Sequence, residues 1–329
     1  MTEIRRRGTV RSRHSRVPFG RQVAVMKKHP LARFVRKILS RPGVRAITPD
    51  SWYLAALYRI RIGRKLDLRN PRGFNEKLQW LKINVRDPEF SKLVDKYEVR
   101  NYIASAIGAE HVVPLAGGPW NSFDEIDFSA LPDKFVLKCT HDSGGLVVCT
   151  DKKTLDVDAA RRKLEPRLRV NFYWPSREPP YAGVKPRLIA EEYVEAPDAR
   201  GLSDYKFYVF NGKTRMINVC ADRFSAKGLH ITFYDENWNL LPFARQYPRE
   251  TVAEPVPKDF ELLKSYAERL AGDLLFARVD FYLPKDKVYV GEITLYPGGG
   301  LEPFDPPEWD EKVGAWLDLS PAATKPSPR

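Results

Sequence analysis

The sequence predicts an α+β protein in which helices come first and antiparallel strands follow. Three observations carry this reading. Residues 51–110 place apolar side chains at helical spacing. From Lys134 onward, short β-prone runs alternate with turn residues. Four of those runs form two hairpins, closed by residues 140–145 and 284–286.

Taken in order, residues 1–28 are Arg-rich and polar and are expected to hold little fixed structure. Leu31, Phe34, Val35, Ile38 and Leu39 fall at i, i+3, i+4, i+7 and i+8, one face of a helix that Pro42-Gly43 ends. Arg33, Arg36 and Lys37 lie off that face, so the helix either packs on the body or lies on an anionic membrane. Ser51 caps a helix containing Trp52, Leu54, Ala55, Leu57 and Tyr58. Asn70-Pro71 breaks the chain, and residues 74–83 and 90–107 are helical again. Residues 114–121 read as a turn-rich boundary. Strands follow at 135–138 and 146–149, a helix at 156–170, and strands at 187–192, 206–210, 215–220 and 230–234. An amphipathic helix at 258–275 precedes the last strand pair, 278–283 with 287–295. The tail after residue 319, rich in Pro and Ser, is expected to be loose. The chain thus divides into a basic arm (1–50), a helical region (51–115), two α+β subdomains (116–194 and 195–318) and a tail (319–329).

The net charge of +13 is local. Residues 1–50 hold fourteen Lys or Arg against Glu3 and Asp50, a balance of +12 that leaves the body near neutral. The arm therefore suits a polyanionic surface. The near-neutral body, without basic–aromatic interleaving, disfavours nucleic acid. No apolar run approaches the ~20 residues of a membrane span, and the N-terminus lacks a signal-peptide core. Cys139, Cys149 and Cys220 lack metal or redox spacing and read as buried thiols, which fits a reducing cytoplasm.

Three constellations could carry chemistry. Lys138 ends a strand and is followed by a small-residue loop with Ser143, Gly144 and Gly145. Glycine lets backbone N–H groups approach a phosphate chain, and a lysine supplies a fixed cation. The lysine precedes the loop, the reverse of P-loops and protein kinases, and a plain Gly-Gly turn is the other reading. Next, alternation puts Arg278, Asp280 and Tyr282 on one face of a strand and groups Val290, Glu292 and Thr294 on its partner. If the hairpin pairs, Asp280 and Glu292 face each other. Two such carboxylates beside phosphate oxygens are what Mg²⁺ prefers; an exposed face balanced by Lys285 and Lys287 is the alternative. Third, the apolar strand Leu188-Ile189-Ala190 runs into Glu191, Glu192, Tyr193 and Val194, an edge that could hydrogen-bond adenine or simply exit to solvent. Asp156-Val157-Asp158 has the spacing of a glycosyltransferase metal motif but precedes a helix, where Asp156 suits the N-cap. His111 and His141 have no partner at ligand spacing.

Asp95-Lys96, the Lys138 loop, Glu191-Glu192-Tyr193-Val194, Arg278-Val279-Asp280 and Gly291-Glu292-Ile293-Thr294 occur in this order between residues 95 and 294 and resemble the ATP-grasp fold. Gly73-Phe74-Asn75-Glu76-Lys77-Leu78-Gln79-Trp80-Leu81-Lys82, Leu137-Lys138-Cys139-Thr140-His141, Lys185-Pro186-Arg187 and Asp204-Tyr205-Lys206-Phe207 look like the TupA-like ATP-grasp family, across roughly residues 50–318. That family is named for teichuronopeptide biosynthesis and is found among bacterial surface-polysaccharide genes.

The resemblance implies two α+β subdomains clasping ATP, with Lys96 and Lys138 on its phosphates and Ser143, Gly144 and Gly145 as the lid. It implies an adenine hinge from Glu191 and Glu192 to Val194, a ribose contact at Asp204, and Mg²⁺ held by Asp280, Glu292 and Thr294. Arg278 would face the reacting carboxyl, and Lys138 would share in neutralising phosphate charge. The activity implied is a carboxylate–amine ligase that passes through an acyl phosphate to an amide, acting on a surface polysaccharide or its precursor. Such an enzyme would be cytoplasmic, with residues 1–45 on the inner membrane face. Three features depart from the resemblance: Thr294 stands where many ATP-grasp ligases have Asn, Asp142 stands where this family usually has Gly, and residues 51–115 are too few and too helical for the usual N-terminal α/β domain of ATP-grasp enzymes. A glycosyltransferase and an ATP-dependent kinase using the same nucleotide site are the alternatives.

Overall fold

The computed structural model describes residues 37–38, 41–196, 201–221, 228–285 and 287–323. The amphipathic helix at residues 31–39 lies almost wholly outside the described residues, as do Asp286 and residues 324–329. Helix α1 is Pro42–Ile47 and α2 is Asp50–Ile62, which Gly63 ends with a φ of 85°. Tyr53, Leu54, Leu57 and Tyr58 form the buried side of α2, at the spacing of one helix face. Helix α3, Phe74–Asn84, opens where Glu76 accepts the N–H groups of Gly73 at 3.1 Å and Arg72 at 3.0 Å.

The single helix expected at 90–107 is two: α4, Phe90–Val94, and α5, Val99–Ile107. The Asp95 carboxylate breaks it by taking the Tyr97 N–H at 2.8 Å. The freed Lys96 N–H goes to the Thr140 carbonyl at 2.9 Å, and Arg187 clamps Asp95 at 2.8 Å. The boundary expected at 114–121 is instead a strand, β1, Leu115–Trp120. Its Gly117, Gly118 and Pro119 conceal the β signal. It is an edge strand with two register shifts, the place where a sheet tolerates Pro and Gly. There follow β2 Phe135–Cys139, β3 Leu146–Cys149, α6 Val157–Leu164, α7 Tyr173–Ser176, β4 Leu188–Glu192, β5 Asp204–Phe210, β6 Lys213–Ala221, β7 His230–Asp235, α8 Phe260–Ala271, β8 Phe276–Tyr282, β9 Tyr289–Thr294, α9 Trp309–Gly314 and α10 Ser320–Ala323. The start of the tail is therefore a helical turn, held where Asp318 accepts the Ser320 N–H at 2.9 Å.

Two antiparallel sheets organise the chain, in the orders β1-β4-β2-β3 and β7-β6-β5-β8-β9. In the smaller sheet Phe135, Leu137 and Cys139 of β2 stand opposite Glu192, Ala190 and Leu188 of β4. The apolar members bury against Ala160 and Leu164 of α6. The other face carries Val136 and Lys138 beside Glu191 and Ile189. The larger sheet divides in the same way. Phe207, Val209, Ile217, Val219, Val279, Phe281 and Ile293 belong to the main core with Leu263, Ala267 and Leu270 of α8. The opposite face sets Lys206 across from Asp280 and Asn218, Tyr208 across from Arg278, and Arg278 across from Thr294. One side of this sheet is thus built by the hydrophobic effect, and the other collects charge. Cys139, Cys149 and Cys220 are all free and buried. No described helix is long and apolar enough to cross a membrane.

Candidate active site

The charged face of the larger sheet centres on Asp280 and Glu292, which are directly opposite in the β8–β9 ladder. Arg278 lies between them. Its Nε donates to Asp280 Oδ1 at 2.6 Å, and its Nη2 reaches Asp280 Oδ2 at 2.7 Å, Glu292 Oε1 at 2.8 Å and Thr294 Oγ1 at 3.0 Å. The Thr294 hydroxyl in turn donates to Glu292 Oε1 at 3.1 Å. Lys206 Nζ pairs with Asp280 and stands 3.6 Å from Asp204 Oδ2. Asp280 is 1% exposed, whereas the Glu292 side chain is 38% exposed and opens outward. No described residue hydrogen-bonds Glu292 Oε2. Burial pushes the Glu292 carboxyl up, but the Arg278, Lys96 and Lys206 charges and the Thr294 hydroxyl outweigh it and hold the group down at about 2. Glu292 is thus a carboxylate throughout the ordinary pH range.

The donor set suits Mg²⁺. It offers two facing carboxylates, one with a free oxygen, and a hydroxyl, and this ion completes its octahedron with phosphate and water oxygens. Among the described residues no group of three or more His, Cys, Asp or Glu is placed to hold a metal ion; the Thr294 hydroxyl, 3.1 Å from Glu292 Oε1, is a third protein oxygen beside the two carboxylates.

On the smaller sheet Lys138 pairs with Glu191, whose other oxygen meets Arg100 at 3.4 Å. Glu191 is buried, and its face is the one that Lys138 shares. Glu192 does not join them. Its side chain is exposed on the opposite face, and its N–H goes to the Pro114 carbonyl at 2.9 Å. Val194 is half-buried just past the strand end. Lys96 Nζ donates to the Asp142 carbonyl, and its charge is felt at Glu292, so it links the glycine loop to the acidic strands. Asp204 begins β5 and is buried beside Lys206.

Within the glycine loop Ser143 and Gly144 are exposed, and Gly144 has a φ of 84°. Gly145 is buried, with its N–H on Asp142 Oδ1 at 3.2 Å. A Cβ there would lie 2.4 Å from that oxygen, so this glycine is required by Asp142. The carboxylate of Asp142, the residue that departs from the family, turns inward to Arg167. Asp156 accepts the Ala159 N–H at 2.7 Å and caps α6, as its place before the helix predicts.

Sequence reasoning assigned nothing to Lys206, Arg100 or Arg167. Two of them had a signal. Lys206 alternates with Asp204 on one strand face, and Arg100 follows Lys96 by four residues, the spacing of one face in the single helix expected at 90–107.

Comparison with curated proteins gives no match. Among solved structures, the D-alanine–D-alanine ligase of Helicobacter pylori is similar at 15% identity and a TM-score of 0.38, covering 72% of this chain and 60% of the ligase. The Bacillus anthracis D-alanine–D-alanine ligase complexed with ATP is similar at 16% identity and a TM-score of 0.36, covering 62% and 55%. The D-cycloserine synthetase DcsG is similar at 14% and 0.36, covering 74% and 70%. The chain spans less than two thirds of the length of either D-alanine–D-alanine ligase. A family model described as TupA-like ATPgrasp matches residues 76–318, from inside α3 to just past α9, and takes in every one of the charged positions above. The chain belongs to the TupA-like ATP-grasp family.

Proposed function

We propose that this chain is an ATP- and Mg²⁺-dependent carboxylate–amine ligase acting on a bacterial surface polysaccharide or its precursor. The observation that carries the proposal is the array of Arg278, Asp280, Glu292, Thr294 and Lys206 on one sheet face, with the Lys96 charge acting on Glu292. Asp280, Glu292 and Thr294 would hold the ion, which neutralises phosphate charge when bound. Lys96 and Lys138 bind and orient phosphates beside Ser143, Gly144 and Gly145. Glu191 and the backbone to Val194 meet the adenine, and Asp204 the ribose. Arg278 orients the substrate carboxylate and stabilises the charge that grows on it as an amine attacks the acyl phosphate. Positioning and charge management suffice for this chemistry, and no nucleophilic side chain is required.

Family membership and the two half-buried lysines held by buried carboxylates, Lys138 by Glu191 and Lys206 by Asp280, support nucleotide use. The polysaccharide substrate and a cytoplasmic site with residues 1–45 on the inner membrane face rest on the family resemblance and on the charge of the arm. A kinase would use the same nucleotide groups with a hydroxyl acceptor. The deciding assay supplies ATP, Mg²⁺, uronic-acid carboxylates and amino acids. Phosphate release that requires both carboxylate and amine is the expected result. Transfer of phosphate to a hydroxyl without an amine identifies the kinase, and sugar-nucleotide binding without ATP binding overturns both.

A further inference from the structure

Arg167 lies in the 3-10 turn Glu165–Arg169 that follows α6. Its Nη1 pairs with Asp142 Oδ2 and reaches the Ser143 carbonyl at 3.3 Å. Its Nη2 would be 3.9 Å from a Cβ on Gly144. The other Asp142 oxygen takes the Gly145 N–H at 3.2 Å. A guanidinium and a glycine amide therefore converge on one carboxylate that is 4% exposed. That pair of donors is what a phosphate oxygen takes in anion-binding loops.

We infer that the Asp142 carboxylate fills an anion position of the glycine loop, and that Arg167 is a phosphate-binding cation released when a nucleotide polyphosphate takes the carboxylate's place. This rests on the nucleotide site proposed above and adds to it a residue from a different element.

Two observations favour exchange over a fixed strut. Arg167 keeps 37% of its side chain exposed although its partner is buried, so the guanidinium has an open side. In the two residues before Asp142, Thr140 Oγ1 and His141 Nδ1 are buried and have no hydrogen-bond partner among the described residues. Unpaired buried polar atoms are costly, so this arrangement of the loop leaves its own polar groups unsatisfied and gains if it shifts. Asp142 also stands to Arg167 as Glu191 stands to Lys138: each of these two cations is already matched with an internal carboxylate.

The test is calorimetric titration of the full chain with ATP, ADP and AMP in Mg²⁺. Arg167→Gln is expected to weaken ATP roughly tenfold and AMP by less than about twofold. Asp142→Asn keeps an acceptor for the Gly145 amide and removes the competing charge, so it is expected to tighten ATP severalfold. Opposite signs for the two variants are the signature. If both weaken ATP and AMP alike, the pair is a strut and the inference is overturned. Should Arg167→Gln not fold, Asp142→Asn decides alone, and weaker ATP binding in it counts against the exchange. Wild-type protein that binds no ATP overturns the nucleotide site itself, which is a separate result.

Discussion

Arg278 donates to Glu292 at 2.8 Å through the same nitrogen that holds Asp280 at 2.7 Å. Two carboxylates fixed opposite each other on neighbouring strands repel unless a cation stands between them. In this arrangement that cation is a guanidinium, and Lys206 assists from the next strand. A metal at the same acids would share their charge with Arg278.

Arg278→Ala removes the cation and leaves both acids facing each other. Breaking a buried pair in this way is expected to cost about 3–5 kcal/mol. Mg²⁺ should then restore part of the loss by taking the vacated place. Thermal unfolding with and without Mg²⁺ checks this: the variant is expected to gain more from the ion than the wild type does. Equal gains would show that the acids are not the metal site.

The Glu292 carboxyl gives a pH dependence with a definite sign. Its folded value of about 2 lies below the ordinary 4.5. Its contribution to stability is therefore complete above about pH 4.5 and is lost as pH falls toward 2. Because its side chain is 38% exposed, solvent screens the effect. Glu292→Gln should flatten the acid limb of a denaturation profile between those values. An unchanged acid limb would mean that Arg278 and Lys206 do not set this group.

Glu191 is the shared carboxylate of Lys138 and Arg100, at side-chain exposures of 9%, 17% and 16%. Glu191→Gln keeps the shape and strands two cations. It is expected to destabilise the chain by roughly 3 kcal/mol and to shift urea unfolding to lower concentration. Lys138→Met in the same background should recover part of that loss, because it removes one of the stranded charges. If the double variant is as unstable as the sum of the singles, the pair is not coupled.

The acid pair was legible in the sequence because everything that sets it is local. Two short strands and one turn bring the acids together, but a register shift between Asp280 and Phe281 sets Asp280 opposite Glu292 and turns Val290, expected beside Glu292 and Thr294, to the core opposite Phe281. The strand at Leu115 was not legible because it depends on β4, and the break at Asp95, although its first bond is local to Tyr97, is held by Thr140 and Arg187 far along the chain. Long side chains concealed the rest. Alternation places Arg278 on the face of Asp280 but does not show that its guanidinium folds back along its own strand onto that carboxylate. Arg167 meets the glycine loop from 25 residues away, a pairing that no spacing announces.

Lys82 offers the last test, and it concerns the loop that follows the acid strands. The residue is fully buried on α3, where its ammonium donates to the Gly299 carbonyl at 2.7 Å, the Ser176 carbonyl at 2.8 Å and Gln79 Oε1 at 3.1 Å. Gly298, Gly299 and Gly300 all have φ near 60°, a backbone that only glycine adopts freely, and Lys82 with Gln79 pins it a few residues past Thr294. Burial pushes the ammonium down to about 8, against the pull of the Glu178 carboxylate. The folded chain therefore binds fewer protons than the unfolded chain between about pH 8 and the ordinary 10.5, so stability contributed by this group rises across that window. Lys82→Met abolishes that rise and strands the Gly299 and Ser176 carbonyls, at a cost of roughly 2 kcal/mol or more. Urea unfolding of both proteins at neutral and alkaline pH reads the two effects separately. The stability gap between them should widen as pH rises through the window; a constant gap would mean that Lys82 keeps its charge on burial.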